Sequence, residues 1–303
     1  MGNKNGLTFS AKPLFDSEGY KRSYVSNAKK LRDMYYQQFK RHITLLLEQK
    51  KARKVSSQKG YLNPRVLYRH QFSDNVFQKT VRTETSDTTI IFLIDGSGSM
   101  DCRHEVNGLD VNRIGICGAV ASAFAKANQT VLKNQIPIEV FIKSAPAYHG
   151  SSLTGTENGS MVTLSRVFSS HKRDANLDKL CEIQSNSPLI DAKGNYDGSY
   201  TSEYAVLPAL NKWIKKNVKT KKCIVFNLTD GEAYCSLGVE DYSFRSSDTK
   251  AMRMKYLRGL PNVTLMIDGR RNDQMMDVYG ENLIVARDDF SGTLFKTFSG
   301  FLE

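Results

Sequence analysis

The sequence predicts an α/β protein: a doubly wound, mostly parallel six-stranded sheet with a basic, mainly helical N-terminal extension. Three observations predict it. From residue 88 onward, short apolar runs alternate with helical segments, the pattern of βαβ units and a parallel sheet. The first of those runs, TTIIFLI (88–94), is continuously apolar, as a strand covered on both faces must be. The charge is also unevenly placed. Residues 1–86 hold 18 Lys and Arg against 6 Asp and Glu, whereas residues 87–303 hold 25 of each. The net charge of +12 therefore lies wholly in the first 86 residues, and the chain divides into a basic arm (1–86) and a formally neutral body (87–303).

In the arm, residues 24–54 read as a helix. Leu31, Met34, Tyr35, Gln38, His42, Leu45, Leu46 and Gln49 fall at three- and four-residue steps among Lys and Arg, one stripe of a 3.6-residue period. KKARK (50–54) suits its C-terminus, and SSQKG breaks it. Pro64 opens a short second helix at the tolerated first turn, and residues 76–83 form a strand leading to the body. The plain reading of the basic helix is a solvated face packed on the body through Leu, Met and Tyr. The alternative is a surface for an acidic protein or nucleic acid, although no helix-turn-helix, zinc-finger or RRM pattern accompanies it.

In the body, the strand at 88–94 is followed by an Ala- and Gly-rich helix (113–128) and a strand IPIEVFIKS (136–144). The alternating segment SMVTLSRVF (160–168) reads as an edge or antiparallel strand. Then come a helix (203–217), the strand KCIVFNL (222–228), a helix (249–258), strands at 262–267 and 282–286, and a closing helix (290–302). A Ser-, Gly- and Asn-rich insertion spans 145–200, with a short helix near 176–183. Connections that long are functional or mobile.

Several classes are excluded. Hydrophobic residues at 40% and charged residues at 24% are ordinary for a globular chain and unlike a disordered or collagenous one. No apolar run approaches the ~20 residues of a spanning helix, so no membrane partner is expected. The N-terminus has no apolar signal core, and Gly6 stands where a myristoylation signal needs Ser or Thr. A cytoplasmic protein is the default expectation. The five cysteines (102, 117, 181, 223 and 235) contain no CxxC pair, which suits neither a zinc framework nor a disulfide scaffold. Cys117 and Cys223 read as core residues.

In a doubly wound sheet, ligands bind beyond the carboxyl ends of the strands, at the point where the strand order reverses. Two strand ends are chemically unusual. One gives LIDGSGSMD, with Asp95, Ser97 and Ser99 at alternate positions; the other gives NLTDGE, with Asp230 just after its strand. Gly96 and Gly98 let the backbone turn so that the alternate side chains converge. Two carboxylates and two hydroxyls form a hard, all-oxygen set suited to Mg²⁺. Other chemistries lack their parts. G-x-S-x-G is absent and no histidine sits in a triad position; a phosphotransferase would want an Asp at Ser97; no Lys-Ser/Thr follows for a phosphate loop. The plainest alternative is a capping Gly/Ser turn.

Asp95-Gly96-Ser97-Gly98-Ser99 resembles the metal-ion-dependent adhesion site (MIDAS) of von Willebrand factor A (VWA) domains. In that pattern DxSxS is followed by a distant Thr and then by Asp in a TDG or SDG turn, which Asp230 matches. Thr201, just before the helix leading into the Asp230 strand, stands in the expected place. The chain also resembles the VWA subunit of aerobic cobaltochelatase, CobT, which has a GxLxxxxL segment upstream of DxSGSM. GYLNPRVLYRHQF (60–72) occupies that place here. NYDGSY (195–200) stands where that group has N-x-DGEAL, with Ser199 and Tyr200 replacing Glu and Ala, so either Thr201 or Asp197 completes the set.

The resemblance, over roughly residues 60–303, implies a Rossmann-like VWA fold and a binding module rather than an enzyme. It implies Mg²⁺ (or Mn²⁺ or Ca²⁺) at Asp95, Ser97, Ser99, Thr201 and Asp230. The Ser and Thr hydroxyls would contact the ion, the Asp residues would act largely through water, and one position would stay open for a partner's carboxylate. The implied partner is a ring-forming MoxR-type AAA+ ATPase acting in metal insertion or complex remodelling; related pairs also occur in phage genomes. Asp101, Cys102, Arg103, His104, Glu232 and Cys235 would rim the site as loop residues. The rival function places binding in the arm, with the VWA body as scaffold.

Overall fold

The computed structural model describes residues 7–8, 22–49, 53–57, 59, 61–65, 76–81, 87–144, 162–172, 175–183, 203–230, 246–267, 273–286, 292–294 and 296–297. The N-terminal elements are β1 (Leu7–Thr8), α1 (Arg22–Gln49), β2 (Arg53–Ser57), β3 (Tyr61–Leu62) and β4 (Phe77–Val81). Next come β5 (Thr88–Asp95), β6 (Arg103–Val106), β7 (Leu109–Asn112), α2 (Arg113–Val131), β8 (Ile138–Ser144) and β9 (Val162–Ser169). The chain continues through α3 (Glu203–Asn217), β10 (Lys222–Thr229), α4 (Ser246–Tyr256), β11 (Asn262–Ile267), α5 (Asp273–Tyr279) and β12 (Leu283–Ala286).

The principal sheet has the order β1-β9-β8-β5-β10-β11-β12. The pairings from β8 through β12 are parallel, and β9 runs antiparallel to β8. The expected six strands are present, and a seventh, β1, joins parallel to β9. β5 is the pivot. From it the chain moves outward through β8 to β9 on one side, then returns to build β10, β11 and β12 on the other. The strand order therefore reverses at the carboxyl end of β5, where a doubly wound sheet opens its binding crevice.

β5 is buried at all eight positions, so its alternate residues serve two different cores. Ile90, Phe92 and Ile94 face a core shared with α1 and α2. Ile91 and Leu93 face a core shared with Val206, Leu210 and Ile214 of α3. Phe92 lies edge-on to Phe124 of α2 at 5.8 Å and stacks on Phe226 of β10 at 5.6 Å between ring centroids. Aromatic pairs in such geometries add to the area they bury.

α1 contributes Ala28, Leu31, Tyr35, Phe39 and Ile43 to the first core, and Phe39 meets Phe124 edge-on at 5.4 Å. The buried stripe differs from the expected one. Leu31 and Tyr35 belong to it, but Phe39 and Ile43 take the places given to Gln38 and His42, and Met34 is 43% exposed. The expected stripe began correctly and then drifted by one residue. The basic residues of α1 are partly engaged by the body: Lys29 pairs with Glu182 at 2.9 Å, and Arg32 with Asp178. Lys126 of α2 pairs back to Asp33 at 2.9 Å.

Other elements also differ from expectation. The first helix stops at Gln49 instead of residue 54, and Arg53–Ser57 pairs antiparallel with β4 in a separate three-stranded sheet. Pro64 and Arg65 are helical, and residues 66–75 lie outside the described set. The short helix expected near 176–183 is a 3-10 turn over Asp178–Glu182. Also unexpected are β3, α5 and the hairpin β6–β7. The hairpin turns on Asn107 and Gly108 with φ of 52° and 72°, the left-handed pair that a two-residue Asn-Gly turn requires. Within the expected closing helix, residues 292–294 and 296–297 are helical, and its remaining residues lie outside the described set.

Candidate functional site

The site lies where β5 and β10 end side by side. These strands pair in parallel with Leu228 opposite Ile94, so Asp95 and Thr229 leave the sheet together. Asp95 is fully buried. The Ser97 backbone N–H donates to its Oδ1 at 2.9 Å, and the Thr229 hydroxyl donates to its Oδ2 at 2.6 Å. One carboxylate thus closes the loop that follows β5 and ties it to the end of β10. The loop continues as a 3-10 turn over Gly98–Asp101 anchored by buried Met100. Its geometry brings the Ser97 and Ser99 hydroxyl oxygens to 3.1 Å.

A second layer holds this loop from α2. Asn112 caps the helix by accepting from the Gly115 N–H at 3.1 Å, as an N-terminal Asn does. Its amide donates to Asp101 Oδ1, also at 3.1 Å. Arg113, the next residue, donates from Nη1 to Asp230 Oδ2 at 3.2 Å and to the Ser99 carbonyl at 3.3 Å. The Asp230 side chain is 6% exposed, and its Oδ1 is buried with no hydrogen-bond partner among the described residues.

The third neighbour is Lys143, opposite Asp95 in the β5–β8 pairing and fully buried. Its backbone carbonyl accepts from the Gly96 N–H at 2.8 Å. Burial raises the Asp95 carboxyl above the ordinary range; Lys143 opposes that rise, the Asp230 charge adds to it, and the Thr229 and Ser97 bonds oppose it. An ionised carboxylate out of water favours its proton unless positive charge compensates. Desolvation outweighs the compensation this chain's own groups provide. Beneath the site, burial pushes the Cys117 thiol well up, with Asp95 and Asp230 adding to the rise. This is the signature of a structural thiol.

Four of the expected site residues are therefore described. Asp95, Ser97, Ser99 and Asp230 converge at two neighbouring strand ends. Thr201, Asp197, Glu232 and Cys235 lie outside the described residues. Among the described residues, no group of three His, Cys, Asp or Glu side chains is poised for a metal; the set here is two carboxylates with hydroxyls. Cys102 is exposed. Sequence reasoning missed three partners: Thr229, Arg113 and Lys143. Thr229 stood in the TDG turn itself, and Lys143 stood near the end of a mostly apolar strand.

The chain is an α/β domain with a polar, carboxylate-bearing cluster at its topological switch point. The chain matches no protein-family model and no curated protein. Among solved structures it is similar to the pilus adhesin SpaC from Lactobacillus rhamnosus GG, with a TM-score of 0.44 and 13% identity over 73% of this chain. It spans 31% of that adhesin's length. It is also similar to the adhesive tip pilin GBS104 from Group B Streptococcus agalactiae, with a TM-score of 0.44, 10% identity and coverage of 71% of this chain and 98% of that one. Among the described residues, no helix is long and apolar enough to cross a membrane.

Proposed function

We propose that the chain is a divalent-cation-dependent protein-binding module of the VWA type, similar to the CobT subunit, and not an enzyme. The observation that carries this reading is the Ser97 and Ser99 hydroxyls, 3.1 Å apart, at the strand end beside that of Asp230, whose buried Oδ1 has no hydrogen-bond partner among the described residues. Hydroxyl and carboxylate oxygens suit a hard cation, and a buried oxygen without a partner is costly unless something occupies it. The residues present fit Mg²⁺, or Mn²⁺ or Ca²⁺ in its place. Ser97, Ser99 and Thr201 would hold the ion, with Asp197 as the alternative to Thr201, and Asp95 and Asp230 would act through water.

When bound, the ion supplies an electrophilic centre that fixes an acidic side chain of a partner. The chain's own residues do the rest. Asp95 shapes the serine loop through the Ser97 N–H and joins it to β10 through Thr229. Asn112 and Asp101 brace the far side of that loop. The partner we propose is a MoxR-type AAA+ ATPase, which would supply the ATP hydrolysis for metal insertion or complex remodelling in the cytoplasm.

The test is co-precipitation of the full chain with such an ATPase. Binding is expected in Mg²⁺, at least tenfold less in EDTA, and a similar loss in Ser97→Ala with Mg²⁺ present. Equal recovery with and without EDTA would refute cation-dependent docking.

A further inference from the structure

The carboxylate that the cation reading assigns to the second strand end is already held by a cation of the chain itself. Arg113 Nη1 bonds Asp230 Oδ2 and the Ser99 carbonyl together. The guanidinium thus spans the two loops that would carry the ion. The Arg113 side chain is 20% exposed and that of Asp230 6%, so the pair is poorly screened by solvent. Asp230 presents its two oxygens unequally: Oδ2 is taken by Arg113, and Oδ1 is buried with no hydrogen-bond partner among the described residues.

We propose that Arg113 is a built-in counter-cation of the site: it keeps Asp230 paired when no divalent ion is present and weakens divalent-ion binding by charge repulsion. This rests on the cation reading above. Arg113 has two opposing effects. As a clamp it orders one carboxylate, a contribution on the scale of a single side chain's rotamer freedom. As a fixed positive charge on that same carboxylate it repels an arriving dication, and in a partly buried site charge–charge energies exceed that ordering term. The repulsion wins. The chain thereby trades cation affinity for a site whose carboxylate is not left exposed and unpaired between binding events. Linkage makes the trade reciprocal, so the ion must weaken the Arg113–Asp230 pair by the factor that Arg113 weakens the ion.

The test is equilibrium Mn²⁺ binding to the full-length protein, followed by the EPR signal of free Mn²⁺. Arg113→Gln is expected to bind Mn²⁺ about tenfold more tightly than the unmodified protein. Arg113→Lys, which keeps the charge, is expected to stay within about threefold of it. Unchanged or weaker binding in a folded Arg113→Gln protein overturns the proposal. An arm that needs no variant follows the unmodified protein by NMR: saturating Mg²⁺ should shift the Arg113 side-chain N–H signal together with the Ser97 amide. A shift at Ser97 with none at Arg113 overturns the proposal even if the Gln variant does not fold. Binding that Ser97→Ala abolishes but Arg113→Gln leaves unaltered refutes this inference alone. If unmodified protein and Arg113→Gln both bind no Mn²⁺ at millimolar concentration, the cation reading falls with it.

Discussion

Replacing Lys143 with Met destabilises the metal-free protein by about 3–5 kcal/mol at neutral pH, the usual consequence of stripping one member from a buried charged pair. Lys143 is fully buried opposite Asp95, and its charge opposes the upward shift that burial imposes on the Asp95 carboxyl. Without it, an ionised Asp95 is left in the interior with less compensation. The pH dependence has a definite sign. A carboxyl whose folded pKa lies above its unfolded value, about 3.9 for Asp, stabilises the fold below that unfolded value. The contribution is lost as pH rises through the folded pKa. The Met variant raises that folded pKa further, so its deficit is full at neutral pH and shrinks on acidification. Urea unfolding in EDTA at neutral and mildly acidic pH measures this. A loss under about 1 kcal/mol at neutral pH, below the range for a broken buried pair, would show that Lys143 does not compensate Asp95. Adding Asp95→Asn to the Met variant should recover much of the loss, because the two residues act as a coupled pair.

Gly118→Ala carries the second large effect, and its sign runs against helix propensity. On an exposed helix, Ala in place of Gly stabilises by about 1 kcal/mol. Gly118 lies inside α2, where an added Cβ would fall 1.9 Å from the Leu180 carbonyl oxygen and 3.0 Å from its carbonyl carbon. Those atoms are backbone and cannot rotate away. The 3-10 turn that carries them is also fastened elsewhere: Ser122 donates to the Leu177 carbonyl at 2.8 Å, and Lys29 pairs with Glu182. Overpacking of this kind costs about 1–3 kcal/mol or more, and the overlap here puts the variant at the upper end. The expected result is a fall in Tm of several degrees with an unaltered far-UV spectrum. A Tm equal to or above that of the unmodified protein would mean that the turn does not rest on α2.

The inner strands of the principal sheet were legible because burial on both faces favours apolar runs, whereas β1 was not. TTIIFLI and NVTLMI declare their state without reference to any partner. The second sheet was not legible in this way. Arg53–Ser57 becomes a strand only by pairing with Phe77–Val81, and its residues, RKVSS, carry no alternation strong enough to stop a helical reading at Gln49. The hairpin at 103–112 did have a local signal in Asn107-Gly108. Its flanking residues, RHEV and LDVN, are too polar to announce strands. On α1 the stripe drifted because a polar residue directly precedes an apolar one at Gln38-Phe39 and His42-Ile43. Packing on Phe124 then selects the apolar member of each pair.

The candidate site divides along similar lines. Asp95, Ser97, Ser99 and Asp230 were visible because a short motif at a strand end carries its chemistry in consecutive residues. Arg113 and Lys143 were not, because each meets the site through register. Lys143 stands opposite Asp95 only once β5 and β8 pair, and Arg113 reaches Asp230 across 117 residues of sequence. The consequence is a charge balance that no reading of the motif alone would find. Each site carboxylate has a chain-borne cation beside it.

The proposed site binds a single hard divalent cation through the serine loop. Equilibrium dialysis of the full-length chain with Mn²⁺, competed by Mg²⁺, tests it most directly. One displaceable ion per chain is expected, lost in the Ser97→Ala/Ser99→Ala double variant, with both proteins unfolding at similar temperatures in EDTA. Full Mn²⁺ binding by the double variant, or none by the unmodified chain at millimolar ion, would contradict it.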